Sequence, residues 1–264
     1  MISNSSSLPS AFQHLNILTF LPSYNESANI IPLCEDLLAL GPKLSILVVD
    51  DQSPDGTGRL VEEFARVNPR VLLISRPPPR GRGLAGRDGF IWFQKHQEFD
   101  LLVEMDADFS HRPEDIPTLV EASSGTDVVI GSRYISGGRE VGRTSDRQWI
   151  SSLANAYLRF VLQTRQRDCT TGFRLFRRSA FADIDFSGYV SIGPSIVTEL
   201  LFDLLRRKKH IVESPITFVD RVNGESKLTP RILFTSLWFP LYLRLRRIFT
   251  GQLPGGPRKK AETA

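Results

Sequence analysis

Leu101-Leu102-Val103-Glu104-Met105-Asp106-Ala107-Asp108 is the stretch on which the reading of the fold turns. A short run, apolar except at Glu104, stops abruptly at two carboxylates spaced one residue apart. Continuous apolarity over so few residues suits a strand buried on both faces, as in a parallel sheet. Working outward, Leu15 to Leu21, Leu44 to Asp50, Val71 to Ser75 and Asp127 to Gly131 read the same way. Between them, Ser27 to Leu40, Thr57 to Val67, Asp88 to Glu98 and Pro113 to Ala122 read as helices. The last of these opens with proline in its first turn. The alternation predicts an α/β fold, a mainly parallel sheet flanked by helices.

The second half is less regular. Arg147 to Leu162 and Ser195 to Arg207 read as helices, and Phe173 to Phe176 and Ile211 to Val219 as strands. Pro230 to Phe249 reads as a bent apolar helix or a helix pair. There is no internal repeat. The 264 residues suffice for one α/β domain and a short appendage. At 41% hydrophobic and 23% charged, the bulk of the chain is globular. A net charge of +4 gives no case for nucleic acid binding. Cys34 and Cys169 have no metal-ligand spacing and are too few for a disulfide framework, which favours a reducing compartment. The Ser-rich start lacks the basic and apolar regions of a signal peptide. The expected organisation is a flexible leader over 1–14, the main domain over 15–228, an apolar and basic helical segment over 229–250, and a flexible tail over 251–264.

Ligands of open α/β sheets bind beyond the carboxyl ends of the strands. Glu26, Asp50-Asp51 and Asp106-Ala107-Asp108 all fall at such ends. Two carboxylates at a strand end can share Mg²⁺ or Mn²⁺ and leave positions open for phosphate oxygens. An acidic turn that caps the next helix is the plainer alternative. Pro22-Ser23-Tyr24-Asn25-Glu26 is not a Gly-rich dinucleotide turn, which argues against hydride transfer. Tyr24 suits packing on a base and Glu26 suits accepting hydrogen bonds, while a helix start capped by Asn25 or Ser27 accounts for the segment equally. In Asp50-Asp51-Gln52-Ser53-Pro54-Asp55-Gly56-Thr57, Asp55 and Thr57 fit turn chemistry. Adjacent aspartates ending a buried strand fit a ligand role for one of them.

Together these segments resemble the inverting glycosyltransferases of the GT-A fold. Gly131-Ser132-Arg133-Tyr134, Asp168-Cys169-Thr170-Thr171-Gly172-Phe173-Arg174 and Arg221-Val222-Asn223-Gly224-Glu225-Ser226-Lys227 narrow the resemblance. They are similar to the dolichol-phosphate (polyprenol-phosphate) mannosyltransferase family, from about Leu15 to Lys227. The resemblance implies GDP-mannose as donor, a polyprenyl or dolichyl phosphate as acceptor, and Mn²⁺ or Mg²⁺ as cofactor. It implies that Pro22, Tyr24, Glu26, Val49 and Asp51 line the nucleoside pocket, with Asp106, Ala107 and Asp108 against the diphosphate. Asp106, Asp108 and Ser110 are the implied metal contacts. Arg133, Arg221 and Lys227 are the implied phosphate ligands, with Asp108, Arg133 and Arg221 central to catalysis. Arg147 and Ser151 fall where the family places further phosphate contacts.

Some positions depart from the family pattern. Gln52 replaces a usual glycine, which predicts a reshaped turn. Arg80-Gly81-Arg82-Gly83-Leu84-Ala85-Gly86-Arg87 replaces a Lys-x-Gly-Leu-Gly segment and reads as a mobile loop near phosphate or a solvated turn. Ser110 stands where some relatives have Gln, and His111 is either a ligand or a brace for its loop.

No uncharged apolar stretch reaches the roughly 18 residues of a spanning helix. Ile232 to Phe249, rich in Leu and aromatics and followed through by Arg244, Arg246 and Arg247, suits an interfacial helix beside anionic headgroups. Packing on the domain or on a partner is the alternative. The expected location is peripheral, on the cytoplasmic face of a membrane, with a small membrane protein as a candidate partner. Other readings are transfer of another sugar to the same lipid phosphate, nucleotidyl transfer, and a scaffold with a decayed site. Nucleotidyl transfer would call for a Gly-rich loop at Pro22 to Glu26.

Overall fold

The computed structural model describes residue 8, residues 10–220, residues 230–251 and residue 254. In chain order the elements are β1 (Ile17–Ser23), α1 (Ile30–Ala39), β2 (Leu44–Asp50), α2 (Thr57–Ala65), β3 (Val71–Ser75), α3 (Arg82–Lys95), β4 (Leu101–Glu104), α4 (Ile116–Ala122) and β5 (Val128–Ser132). They continue as β6 (Arg139–Val141), α5 (Ser145–Leu162), β7 (Arg174–Arg177), α6 (Ile196–Arg206), β8 (Ile211–Pro215), β9 (Thr217–Val219) and α7 (Pro230–Thr250). Seven strands form one sheet in the order β3-β2-β1-β4-β7-β5-β8, and β6 pairs with β9 in a second. The α/β reading holds.

The sheet is buried on both faces, which is why its strands lack polar alternation. Leu18 and Phe20 of β1 and Leu47 and Val49 of β2 belong to one core, with Phe90 and Phe93 of α3 and Leu200, Leu201 and Leu204 of α6. Ile17 and Leu21, with Ile46 and Val48, belong to the opposite core, with Leu33 and Leu37 of α1 and Ile116 and Leu119 of α4. Successive strand residues point to opposite faces, so a run apolar at every position serves both layers.

The sheet is mainly parallel, as expected, with one strand reversed, and three expectations are corrected. β7 is antiparallel to both neighbours, β4 and β5. The strand read over Ile211 to Val219 divides at Ile216 into β8 and β9, which join different sheets. The arginine- and glycine-rich segment is not a loop along its length, because α3 begins at Arg82. Glycine disfavours helix, but tertiary contact decides here: a Cβ at Gly83 would lie 2.3 Å from the Ser191 carbonyl oxygen. The bare glycine lets the helix start press on the loop before α6, where the Gly83 N–H donates to the Ile192 carbonyl at 2.8 Å. Finally, the stretch read as a flexible leader contains Leu8, which is buried in the core and donates its N–H to the Leu40 carbonyl at 3.2 Å.

Of the two readings for the C-terminal apolar segment, a single helix, α7, contains Pro240. No described helix is long and apolar enough to cross a membrane.

Candidate active site

The strand pairing brings the acidic ends together. Ser23 is level with Asp50, and Phe20 with Glu104, so β1, β2 and β4 finish side by side. A cavity of about 400 Å³ opens beyond them. Pro22 lines it from β1, Tyr24 and Glu26 from the turn after it, Asp51 from the turn after β2, and Asp106, Ala107 and Asp108 from the segment after β4. Val49 does not reach it, being fully buried in β2.

The two adjacent aspartates divide their work. Asp50 is a turn anchor, accepting the Ser53 N–H at 2.9 Å. Asp51 faces the cavity, where its carboxylate accepts the Gly81 N–H at 2.7 Å and pairs with Arg76, which also bonds Asp88 at 2.6 Å. Asp55 accepts from Thr57 Oγ1 at 2.6 Å and from the Ser27 N–H at 3.0 Å. Burial raises its pKa, but these hydrogen bonds outweigh burial and lower it overall. Gln52 has φ of 49°, so it takes up the left-handed backbone that a glycine would adopt there.

Asp106 and Asp108 are held by short-range contacts. The Asp106 N–H donates to His111 Nδ1 at 3.0 Å. His111 is buried and stacks on Phe173 at 5.0 Å, and burial pushes its pKa down. It is a brace for the loop. Ser110 donates its hydroxyl to Asp108 at 2.6 Å, and the Ser110 N–H bonds the same oxygen at 3.1 Å. Among the described residues no group of three or more His, Cys, Asp or Glu side chains forms a metal cluster. Asp106 and Asp108 offer two hard-oxygen donors on the cavity wall, with the Ser110 proton directed onto Asp108. That set fits a Mg²⁺- or Mn²⁺-type cation that takes its other ligands from water and phosphate oxygens.

Behind Asp106 lies a buried charge cluster that sequence reasoning did not resolve. Arg82 contacts Glu104 at 2.8 Å and Asp106 at 3.4 Å. Burial drives the Glu104 pKa up, against the pull of Arg82 and Arg174. Arg174 is fully buried and donates to the Val197 carbonyl at 2.7 Å. A Cβ at Gly172 would sit 2.9 Å from Arg82 Nη2, so the glycine makes room for the guanidinium. The only sequence signal for this cluster was the crowding of arginines after β3. Arg80 lies over the Tyr24 ring at 5.2 Å and donates to the Asp51 carbonyl at 2.9 Å.

Other expected residues lie elsewhere. Arg133 is buried and does not line the cavity. It bonds Asp168 twice, at 2.7 and 2.8 Å, Glu140 at 3.1 Å and Thr170 at 2.7 Å. Among the described residues, four of the five guanidinium donors are thereby used. Burial alone would raise the Asp168 pKa, but Arg133 holds it below the ordinary value. Arg147 pairs with Asp220 at 2.7 Å at the start of α5. Ser151, in α5, gives its carbonyl to Asn155. Arg221 and Lys227 lie outside the described residues.

A second cavity, about 420 Å³ and mostly apolar, adjoins the first at Pro194. Ile150, Leu153 and Tyr157 of α5, Val197 of α6 and Leu237 of α7 line it.

Residues 19–185 match the family model Glycosyl transferase family 2. The chain belongs to that family and is a glycosyltransferase. Within it, the chain belongs with the polyprenol-phosphate and dolichol-phosphate mannosyltransferases. It is 39% identical over 219 residues to undecaprenyl-phosphate mannosyltransferase of Micrococcus luteus, covering 83% of this chain and 90% of that protein. It is 39% identical over 214 residues to polyprenol monophosphomannose synthase of Mycolicibacterium smegmatis, covering 80% of each. Dolichol-phosphate mannosyltransferase of Pyrococcus furiosus is 34% identical over 228 residues, covering 84% of this chain and 62% of that one. Among solved structures, mannosyl-3-phosphoglycerate synthase from Rubrobacter xylanophilus superposes with TM-score 0.63 at 20% identity, over 89% of this chain and 75% of that one. This likeness places the sheet and its helices in the GT-A fold.

Proposed function

We propose that this chain transfers mannose from GDP-mannose to a polyprenyl phosphate with inversion, giving polyprenyl β-D-mannosyl phosphate and GDP. One observation carries the reading: a cavity that carries the carboxylates of Glu26, Asp51, Asp106 and Asp108 beside Tyr24 meets a more apolar cavity at Pro194. A nucleotide sugar suits the first and an isoprenoid chain the second. Their junction is where a phosphate on the lipid would meet the sugar. The names of the relatives support mannose and a polyprenyl phosphate as the transferred sugar and the acceptor.

The chemistry follows from the acceptor. A phosphate monoester is anionic near neutral pH, with its second pKa at about 6. Its oxygen attacks the anomeric carbon without a protein base, and the bond to the diphosphate oxygen breaks as the new bond forms. Tyr24 and Glu26 hold the nucleoside, and the Arg76–Asp51–Gly81 contacts fix the wall beside it. Asp106 and Asp108 would hold Mn²⁺ or Mg²⁺, which supplies charge stabilisation to the departing diphosphate. Arg221 and Lys227 are assigned to phosphate. Arg133 is assigned to positioning, through its bonds to Asp168 and Glu140.

The acceptor calls for a membrane surface. On α5, Trp149 and Phe160 are 78% and 79% exposed, and on α7 Trp238 and Phe249 are 55% and 82% exposed. α7 packs on the domain through α5, with Leu243 buried, and the aromatics left exposed on the two helices favour docking of this pair in the interface. The proposed location is the cytoplasmic face, with a membrane-protein partner beside α7.

The test is transfer to polyprenyl phosphate from a panel of nucleotide sugars, with and without Mn²⁺. GDP-mannose should be the preferred donor, and Asp108→Ala should abolish metal-dependent transfer. Equal transfer from UDP-glucose would overturn the donor assignment. Wild-type turnover by Asp108→Ala would overturn the site.

A further inference from the structure

A third cavity, of about 330 Å³, lies at the far ends of the same three helices. Gln163 follows α5, Phe202 and Arg206 come from α6, and Arg244, Arg247 and Ile248 from α7. Arg206 is eight residues along α6 from Thr198, which lines the apolar cavity. At 1.5 Å per residue the two places are roughly 12 Å apart.

The arginines here differ in their partners from several others in the fold. Arg76, Arg133 and Arg207 each have carboxylate partners. Among the described residues, Arg206, Arg244 and Arg247 form no ion pair. Their acceptors are neutral: Arg206 Nη2 bonds the Leu162 carbonyl at 3.1 Å, and Arg244 Nη1 bonds the Val161 carbonyl at 3.3 Å. These carbonyls close α5, and a helix C-terminus offers about half a negative charge. Three guanidinium groups far exceed it. Arg206 Nε is buried with no hydrogen-bond partner. Burial, then repulsion from Arg247 and Arg244, lowers the Arg206 pKa. Three half-buried cations converge on one cavity without an anion among them.

We propose that this arginine cavity binds the phosphate of an anionic phospholipid headgroup, at a site separate from the catalytic cavity. Guanidinium forks match phosphate oxygens in pairs. The surroundings favour a lipid over a free phosphate: Ile248 is 65% exposed at the rim, and Phe160 and Phe249 stand out from the same helices. Apolar side chains at acyl depth would bring the arginines level with the headgroups. The site would fix the rotation of the protein on the bilayer, so that the apolar cavity opens toward the lipid phase. It rests on the membrane docking proposed above.

The test uses the full-length chain and phosphatidylcholine vesicles with and without phosphatidylglycerol. Arg206→Gln with Arg247→Gln should weaken binding to the phosphatidylglycerol vesicles roughly 30-fold, from about fivefold per basic residue at the surface. Arg165→Gln with Lys208→Gln removes equal charge from exposed positions outside the cavity and should cost less than fivefold. Equal losses in the two pairs would reduce the effect to general charge and overturn the site. Should the cavity variant fail to fold, phenylglyoxal modification of wild-type Arg206, read by mass spectrometry, replaces it. Protection by phosphatidylglycerol vesicles, but not by phosphatidylcholine vesicles, is expected. Full protection by inorganic phosphate without vesicles would assign the site to free phosphate and overturn the headgroup. Wild-type protein that binds neither vesicle would overturn membrane docking itself, whereas vesicle binding indifferent to the arginines would overturn this site alone.

Discussion

Arg133→Met tests whether this arginine is a tie in the fold or a ligand for phosphate. Its guanidinium and the fully buried Asp168 carboxylate bond twice, with Glu140 and Thr170 completing the set. Removing one partner of such a buried pair leaves the other charge uncompensated and costs about 3–5 kcal/mol. With a urea m-value of about 3 kcal/mol/M for a domain of this size, the midpoint falls by roughly 1–1.7 M. The melting temperature falls by about 6–20 °C, at 2–4 °C per kcal/mol. Tryptophan fluorescence in urea reads the midpoint, and calorimetric titration with GDP and Mn²⁺ reads the ligand. On the structural account, stability drops by this amount, while GDP affinity at a temperature well below the new midpoint changes by less than tenfold. Replacing both partners, Arg133→Met with Asp168→Leu, should cost less than the sum of the two single changes, because neither charge is then left buried alone, although the N–H groups of Arg133, Thr170 and Thr171 lose their acceptor. A single variant with an unchanged midpoint and GDP affinity reduced a hundredfold would refute the reasoning and make Arg133 a phosphate ligand.

Asp168→Asn extends the test to pH. The folded-state pKa of Asp168 lies below its unfolded value, so its contribution is fully present above about pH 4. The difference in urea midpoint between wild type and variant should stay constant from pH 7 to 5 and shrink as pH falls through the folded pKa. Gly83→Ala should destabilise by about 1–3 kcal/mol and weaken GDP binding, since its Cβ would lie 2.3 and 2.8 Å from the carbonyl oxygens of Ser191 and Gly193. Gly193→Ala meets nothing within 4 Å and is the control, expected to fall within about 0.5 kcal/mol of wild type by chemical denaturation. Cys34 and Cys169 are buried, with thiol pKa values pushed up by burial to about 12 each. A chromogenic thiol reagent at pH 8 should find no reactive thiol in the native protein and both in urea.

The parallel core was legible because its information is local. Ile46, Leu47, Val48 and Val49 are apolar at successive positions, and both layers of the sheet demand that. The acidic strand ends were legible for the same reason, since Asp51, Asp106 and Asp108 follow directly on such runs. The direction of β7 was not, because Arg174–Arg177 looks alike in either orientation and only its neighbours set it. β6 and β9, at three residues each, are too short to show a period. The duties of the arginines were hidden more deeply. Arg133 and Asp168 are 35 positions apart, and Arg206 lies nearly forty residues from Arg244, so no local pattern reveals that one is paired and the other is not. Val49 illustrates the reverse limit: it precedes the right turn, yet strand alternation turns it into the core.

The antiparallel setting of β7 has a consequence for how the enzyme can vary. β5 leaves the sheet at Ser132, on the edge that carries the acidic residues, and β7 enters at Arg174 on that same edge, with Ile130 level with Arg174. Everything between, including β6 and α5, is therefore an excursion that departs and returns at neighbouring points. A parallel β7 would have required the chain to cross to the opposite edge before re-entering. Such a closed excursion can change in length and composition without rewiring the sheet, since doubling a loop costs only about 0.6 kcal/mol in closure entropy. The acidic wall of the first cavity is written into the strand ends, whereas the α5 wall of the apolar cavity belongs to this excursion and the α6 and α7 walls do not.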